Sequence, residues 1–162
     1  MNKAKLPPEV EFHEDINLLV YRPRGLIDEA AISNMIAVVE RLEIEKWSPF
    51  NRYYDMSGAT DVKLNLKYVT DASIHRRLSH RGRKSVKSAI LAKDWDLVHY
   101  GHLFELLTQG SSIKVRIFQD RNEAAKWLGV SLERLAAKAP SGETSQPSKG
   151  SKDEDTTSTH PT

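Results

Sequence analysis

The chain contains no cysteine, which excludes disulfide scaffolds, thiolate metal sites, iron–sulfur clusters and cysteine nucleophiles. Its chemistry rests on oxygen and nitrogen groups. It has no long apolar run either: the longest, MIAVV at residues 35–39, falls far short of the roughly 20 residues that cross a bilayer. The N-terminal stretch MNKAKLPPEVEF lacks the apolar segment of a secretory signal, so a cytoplasmic protein is expected. Gly-x-Ser-x-Gly, P-loop and Gly-x-Gly-x-x-Gly strings are also missing, which leaves no catalytic or nucleotide-binding signature. A non-enzymatic protein without a cofactor is the expectation.

What is present divides unevenly. Hydrophobic residues make up 39% of the 162 positions, but residues 140–162 have none, and Ser, Thr, Pro and Gly dominate there. Such a segment buries too little apolar surface to offset its ordering entropy. The expected division is a flexible N-terminus at 1–8, one α/β domain at 9–138 and a disordered polar tail at 139–162. Charge is uneven too. The chain carries 24 basic and 22 acidic residues, yet HRRLSHRGRKSVK at 75–87 has six cations and no acid. The slight basic excess is one local patch.

Periodicity orders the elements. Val10 and Phe12 alternate with polar residues, and NLLVY at 17–21 is compactly apolar, which predicts a β-hairpin. From residue 28 to 47, Ile32, Met35, Ile36, Val39 and Leu42 recur at helical steps, and Ser48-Pro49 ends that helix. A third strand follows at 51–57, then a loop at 58–61 and a helix over about 65–80. KSAILA at 87–92 is the fourth strand, followed by a helix with Leu97, Tyr100, Gly101, Phe104 and Leu107 on its inner face. Ile113, Val115 and Ile117 mark the fifth strand, and Asp120 with Glu123 open the last helix. The βαβ order predicts a mixed α/β domain: a single, mostly parallel five-stranded sheet with a leading hairpin and four helices.

Two strings add a resemblance: YYDMSGATD at 53–61 and VRIFQDRNEAAKWLGV at 115–130. With the element order they resemble the STAS-like domains of anti-sigma-factor antagonist type, and within them the SpoIIAA-like subgroup, over residues 10–130. The resemblance implies that fold and a small binding or regulatory module, acting through a protein partner or a small ligand, rather than a catalyst. In phosphoregulated members the loop after the third strand carries a phosphorylated serine or threonine. The matching positions here are near Lys63, Leu64 and Asn65, none with a hydroxyl, so no phosphoacceptor is expected at that place. The subgroup's association with lipid-carrying folds implies a carrier or sensor of a small apolar or phospholipid-like ligand as the alternative.

Individual residues offer several candidate sites. Asp55, Ser57, Thr60 and Asp61 lie where open α/β sheets bind ligands, beyond the carboxyl ends of parallel strands, and Trp95 follows the neighbouring strand. The competing reading is ordinary turn chemistry. Arg76, Arg77, Arg81, Arg83 and Lys84 form a patch for an anionic partner, including weak contact with an anionic membrane; as a solvated face the same residues complement a helix C-terminus. The segment interleaves no aromatics, so nucleic acid is not an expected partner. His99, His102 and Glu105 recur every three residues, but such steps drift around a helix, and no metal site is expected. Trp47 and Trp127 lie near helix boundaries, where anchoring in core or rim is the usual role. The exposed edge of the opening hairpin makes a homodimer a further expectation.

Overall fold

The structure is a computed structural model that describes residues 5–137. The expectations for residues 1–4 and for the polar tail beyond 137 lie outside the described residues. No helix among the described residues is long and apolar enough to cross a membrane.

Strand β1 (Val10–His13) folds back antiparallel on β2 (Leu18–Tyr21), with Val10 opposite Tyr21 and His13 opposite Leu18. Asn17 takes a positive φ of 46° in the turn, a conformation its short polar side chain tolerates. From β2 onward pairing is parallel through β4 (Asn51–Asp55), β6 (Val86–Leu91) and β7 (Ile113–Phe118), giving the order β1-β2-β4-β6-β7. The expected five-stranded, mostly parallel sheet is present, with β1 at one edge.

Two short strands had no counterpart in the sequence reading. β3 (Gly25–Asp28) and β5 (Ala59–Lys63) pair in parallel as a separate two-stranded sheet. The loop expected at 58–61 is thus partly strand. Its residues show no apolar alternation because most of β5 is exposed, which removes the pattern that betrays half-buried strands. The third strand also ends early, at Asp55: its carboxylate accepts the Ser57 backbone N–H at 3.0 Å and so starts a 3-10 turn at Met56–Gly58.

Helices α1 (Glu29–Glu45), α2 (Leu66–Ser79), α3 (Trp95–Thr108) and α4 (Arg121–Leu128) match the expected four. Each begins at a side-chain cap, Asp28, Asn65, Asp94 and Asp120 respectively, whose oxygen accepts free backbone N–H groups of the first turn. Alternation along the strands divides the core between two faces. Leu18, Val20, Tyr53, Ala89 and Leu91 pack with α4 and Leu135. Leu19, Tyr21, Tyr54 and Ile90 face the other way, toward α1 and the start of α3.

Gly101 sets how closely α3 lies on the sheet. A Cβ there would stand 2.6 Å from the Ile117 Cδ1 of β7, so only glycine admits this approach without displacing that side chain. Gly101→Leu is therefore expected to destabilise the domain by about 1–3 kcal/mol through overpacking. Denaturant unfolding of the variant beside the parent checks this.

Candidate functional site

Three helical stripes and the sheet line a cavity of about 130 Å³ that is partly open to solvent. α1 contributes Ile32, Met35, Ile36 and Val39, α2 contributes Val69, Ala72, Ser73 and Arg76, and α3 contributes Leu97, Tyr100, Gly101 and Phe104. Each set follows the three-and-four spacing that puts side chains on one helical face. The floor is Tyr54 of β4 and Ile90 of β6, which are register partners on adjacent strands. Space remains because Ala72, Ser73 and Gly101 are small where their neighbours are large.

Most polar groups on this wall are already engaged. The Ser73 hydroxyl donates to the Val69 carbonyl of its own helix at 2.6 Å, and Tyr100 donates to the Leu64 carbonyl at 3.1 Å. Arg76 is held by carboxylates. Tyr54 is the exception: its hydroxyl has no hydrogen bond among the described residues, and burial pushes its pKa up, so it stays a neutral phenol. The cavity is an apolar chamber with one free hydroxyl.

One end of the chamber is closed by a buried charge cluster. Arg76 donates to the two Glu43 oxygens, at 2.6 and 3.2 Å, and to Glu40 at 3.1 Å. Arg52 donates to the same Glu43 carboxylate. Burial opposes the charge on Arg76, but the hydrogen bonds and negative charge of Glu43 outweigh it and hold its pKa above the usual value. For Arg52 burial prevails and lowers the pKa, although a guanidinium stays protonated at any ordinary pH.

His80 adjoins the cluster. Its Nδ1 lies 2.8 Å from the Ser112 hydroxyl, which itself donates to the His80 carbonyl at 3.0 Å. The imidazole must therefore be the donor at Nδ1, leaving Nε2 as a lone pair 3.8 Å from Glu43. Burial lowers the His80 pKa to about 4, and the charges of Arg52, Arg76 and Arg83 add to that effect against the opposing pull of Glu43.

The residues singled out from sequence are scattered. Asp55 is 4% exposed; it accepts from the Ser57 hydroxyl at 2.5 Å and from Arg121 of α4 at 3.1 Å. Asp55 and Ser57 thus meet, but in a turn locked to α4. Thr60 and Asp61 lie on β5, and Asp61 bonds the adjacent Val62 backbone N–H. Trp95 is 80% exposed at the start of α3. The register of Asp55 opposite Leu91 places the two loops on the same sheet edge.

The basic patch does not stay together. Arg76 is 5% exposed and belongs to the buried cluster, while Arg77, Arg81, Arg83 and Lys84 are exposed. Arg77 donates to the Leu107 carbonyl near the end of α3 at 3.3 Å. Of the tryptophans, Trp127 packs against Phe118 as expected, whereas Trp47 is fully exposed, contrary to an anchoring role. The short turn from α1 to β4 gives Trp47 no neighbour to lie on. His99 is exposed, and His102 faces Glu105 at 3.4 Å. No group of three metal-ligating side chains occurs among the described residues.

Sequence reasoning missed Glu43 and Arg52. A signal existed: Glu43 lies four residues beyond Val39 on the inner face of α1, and Arg52 alternates with Tyr54 on the inner face of β4.

The His80 pKa has a consequence for stability. A base whose folded pKa lies below the unfolded value of roughly 6.5 takes up its proton more readily in the unfolded chain, so stability falls with pH between about 6.5 and 4. The loss approaches roughly 3 kcal/mol when both states are protonated. Denaturant midpoints at pH 7 and pH 5 check this; His80→Asn should show a distinctly smaller difference, and an equal difference would refute the assignment.

No family model matches this chain, and no curated protein matches it. Among solved structures it is similar to a protein from Shewanella loihica PV-4 described as an uncharacterised member of the DUF3478 family with a SpoIIAA-like fold. The two share 18% identity with a TM-score of 0.47, and the match covers 74% of this chain and 89% of the other. That fold name coincides with the resemblance carried by residues 53–61 and 115–130.

Proposed function

We propose that the protein is a non-catalytic binding module that takes a small apolar molecule into the chamber between α1, α2, α3 and the sheet, as carrier or sensor. The observation that carries this reading is the chamber itself: apolar over most of its wall, with Arg76 at one end and the Tyr54 hydroxyl without a hydrogen bond at its floor. Its volume of about 130 Å³ is close to that of an engineered apolar cavity, roughly 150 Å³, that stays dry and binds benzene in another protein. A single ring or a short branched chain fits, with at most one polar group to meet Tyr54. At a ceiling of roughly 1.5 kcal/mol per non-hydrogen atom, a six-atom ring gains at most about 9 kcal/mol, a dissociation constant no tighter than roughly 0.3 μM.

Access favours the seam between α1 and α2. α2 packs more extensively on α3 than on α1, and the α1 seam is bridged by polar contacts, Ser33 to Tyr68 at 2.6 Å and Glu40 to His75 at 2.7 Å. Exposed polar bridges of this kind contribute little to holding the seam shut.

The partner surface expected at the carboxyl edge is narrower under this reading. Asp55 and Ser57 are occupied by each other and by Arg121, so Trp95, Thr60 and Asp61 are the residues left to meet a protein.

Native mass spectrometry of freshly purified protein tests for a retained ligand, and benzene and phenol serve as defined probes. Saturable shifts of the Ile36, Val39 and Ile90 methyl resonances are expected with both. Ala72→Leu should abolish them by filling the chamber, and Tyr54→Phe should weaken phenol about fivefold through one lost hydrogen bond while sparing benzene. Methyl resonances unmoved by either probe would sink the proposal.

A further inference from the structure

A second pocket, of about 230 Å³, lies on the other side of the charge cluster, between the C-terminal ends of α1 and α2 and the amino ends of β4 and β6. Its lining differs in kind from the apolar chamber. Lys46, Arg52, Arg83 and Lys84 contribute positive charge, and Glu43 is the sole acid. We propose that this pocket binds a phosphate monoester group, either of a small soluble molecule or of a lipid headgroup.

Arg52 carries the argument. It is 1% exposed and lines this pocket, and its Nε and Nη1 have no hydrogen-bond partner among the described residues. Its guanidinium carbon sits 4.9 Å from the centre of the Phe50 ring, and the third nitrogen, Nη2, is tied to Glu43. The guanidinium is therefore fixed in plane with donors unspent. Buried donors left without partners cost on the order of 1–3 kcal/mol, more for charged groups. A fixed guanidinium with free donors recognises oxyanions, phosphate and carboxylate alike.

Charge balance points the same way. Arg52 and Arg76 are offset by Glu43 and Glu40, and Lys46 is paired with Glu14. Arg83 donates to the Glu43 backbone carbonyl at 3.1 Å, which meets the negative end of α1 without consuming a full charge. Lys84 has no ion pair or hydrogen bond among the described residues. An excess of about two positive charges remains at the mouth, which matches a phosphate monoester near neutral pH. Trp47, fully exposed at the rim, supplies an apolar face beside the charged one.

The proposal is independent of the apolar chamber, and its test uses other probes. The full chain is titrated with inorganic phosphate at constant ionic strength, followed by proton–nitrogen correlation spectra. Saturable shifts are expected at the Trp47 indole N–H and the Arg83, Lys84 and Val86 amides. Lys84→Glu, an exposed change that leaves the buried cluster intact, should weaken binding about tenfold, and Lys84→Arg should retain it. Co-sedimentation with vesicles of phosphatidylcholine containing phosphatidic acid, beside phosphatidylcholine alone, separates the sources. Vesicle binding that free phosphate displaces assigns a lipid headgroup; phosphate shifts without vesicle binding assign a soluble ligand. Shifts that chloride reproduces, binding indifferent to Lys84→Glu, or no saturable shift at those residues would overturn the proposal.

Discussion

The Glu43 carboxylate, sunk between Arg52 and Arg76, is the contact on which the rest of the α1–α3 face depends. It joins three elements that share no continuous hydrogen-bond ladder: α1, α2 and strand β4. Removing charges from water costs several kcal/mol for each ion, and mutual attraction repays this only when geometry and hydrogen bonding are complete. Here two arginines face two glutamates, so the cluster as a whole is near neutral. A protonated His80 would add a charge beside Arg52, Arg76 and Arg83, and its lowered pKa reports that penalty together with burial. Truncating Glu43 would leave buried Arg52 without an anionic partner and Arg76 with Glu40 alone, whereas losing Arg83 or Lys84 at the rim would strand no charge.

This cluster also divides the space under the helices. Arg76 forms part of the wall of the apolar chamber, and Arg52 part of the wall of the cationic pocket. Without charged groups at these inward positions, apolar side chains would join the two spaces into one continuous core. The cost of burying ions thus yields two compartments of opposite character within a few residues of each other. Hydrophobic burial alone shapes only one of them.

Much of this was legible from residue spacing. The hairpin, the four parallel-paired strands and the four helices follow from apolar periods and from cap residues, because both act locally and leave a local trace. The short strands β3 and β5 left little, because most of β5 is exposed and β3 buries a single side chain, Ile27. Inner faces were legible as well: Met35, Val39 and Leu42 read as core and are buried. What periodicity could not supply was the identity of the charged residues on those faces. Glu43, Arg52 and Arg76 sit at inward positions by count, but residue type argues for solvent, and only three-dimensional pairing reverses that argument. Sequence position accordingly assigns Arg76 to a surface patch, and the fold removes it from there.

The position of the candidate sites follows from how the usual one is used. Open α/β sheets place ligands beyond the carboxyl ends of their parallel strands. In this chain that edge carries structural bonds: Asp55 holds the 3-10 turn, binds Ser57 and receives Arg121, and Arg121 also approaches Tyr53 at 3.4 Å. A carboxylate there repels anions, and its engagement with α4 leaves little room to reorganise. The amino edge is built oppositely, with cations gathered where α1 and α2 end. Helix C-termini are negative and attract such cations, but one carbonyl contact from Arg83 does not neutralise Lys84 or fill the donors of Arg52. Residues that begin as complements to helix ends therefore outnumber what the ends require, and that surplus is the ground on which an anionic ligand is proposed there.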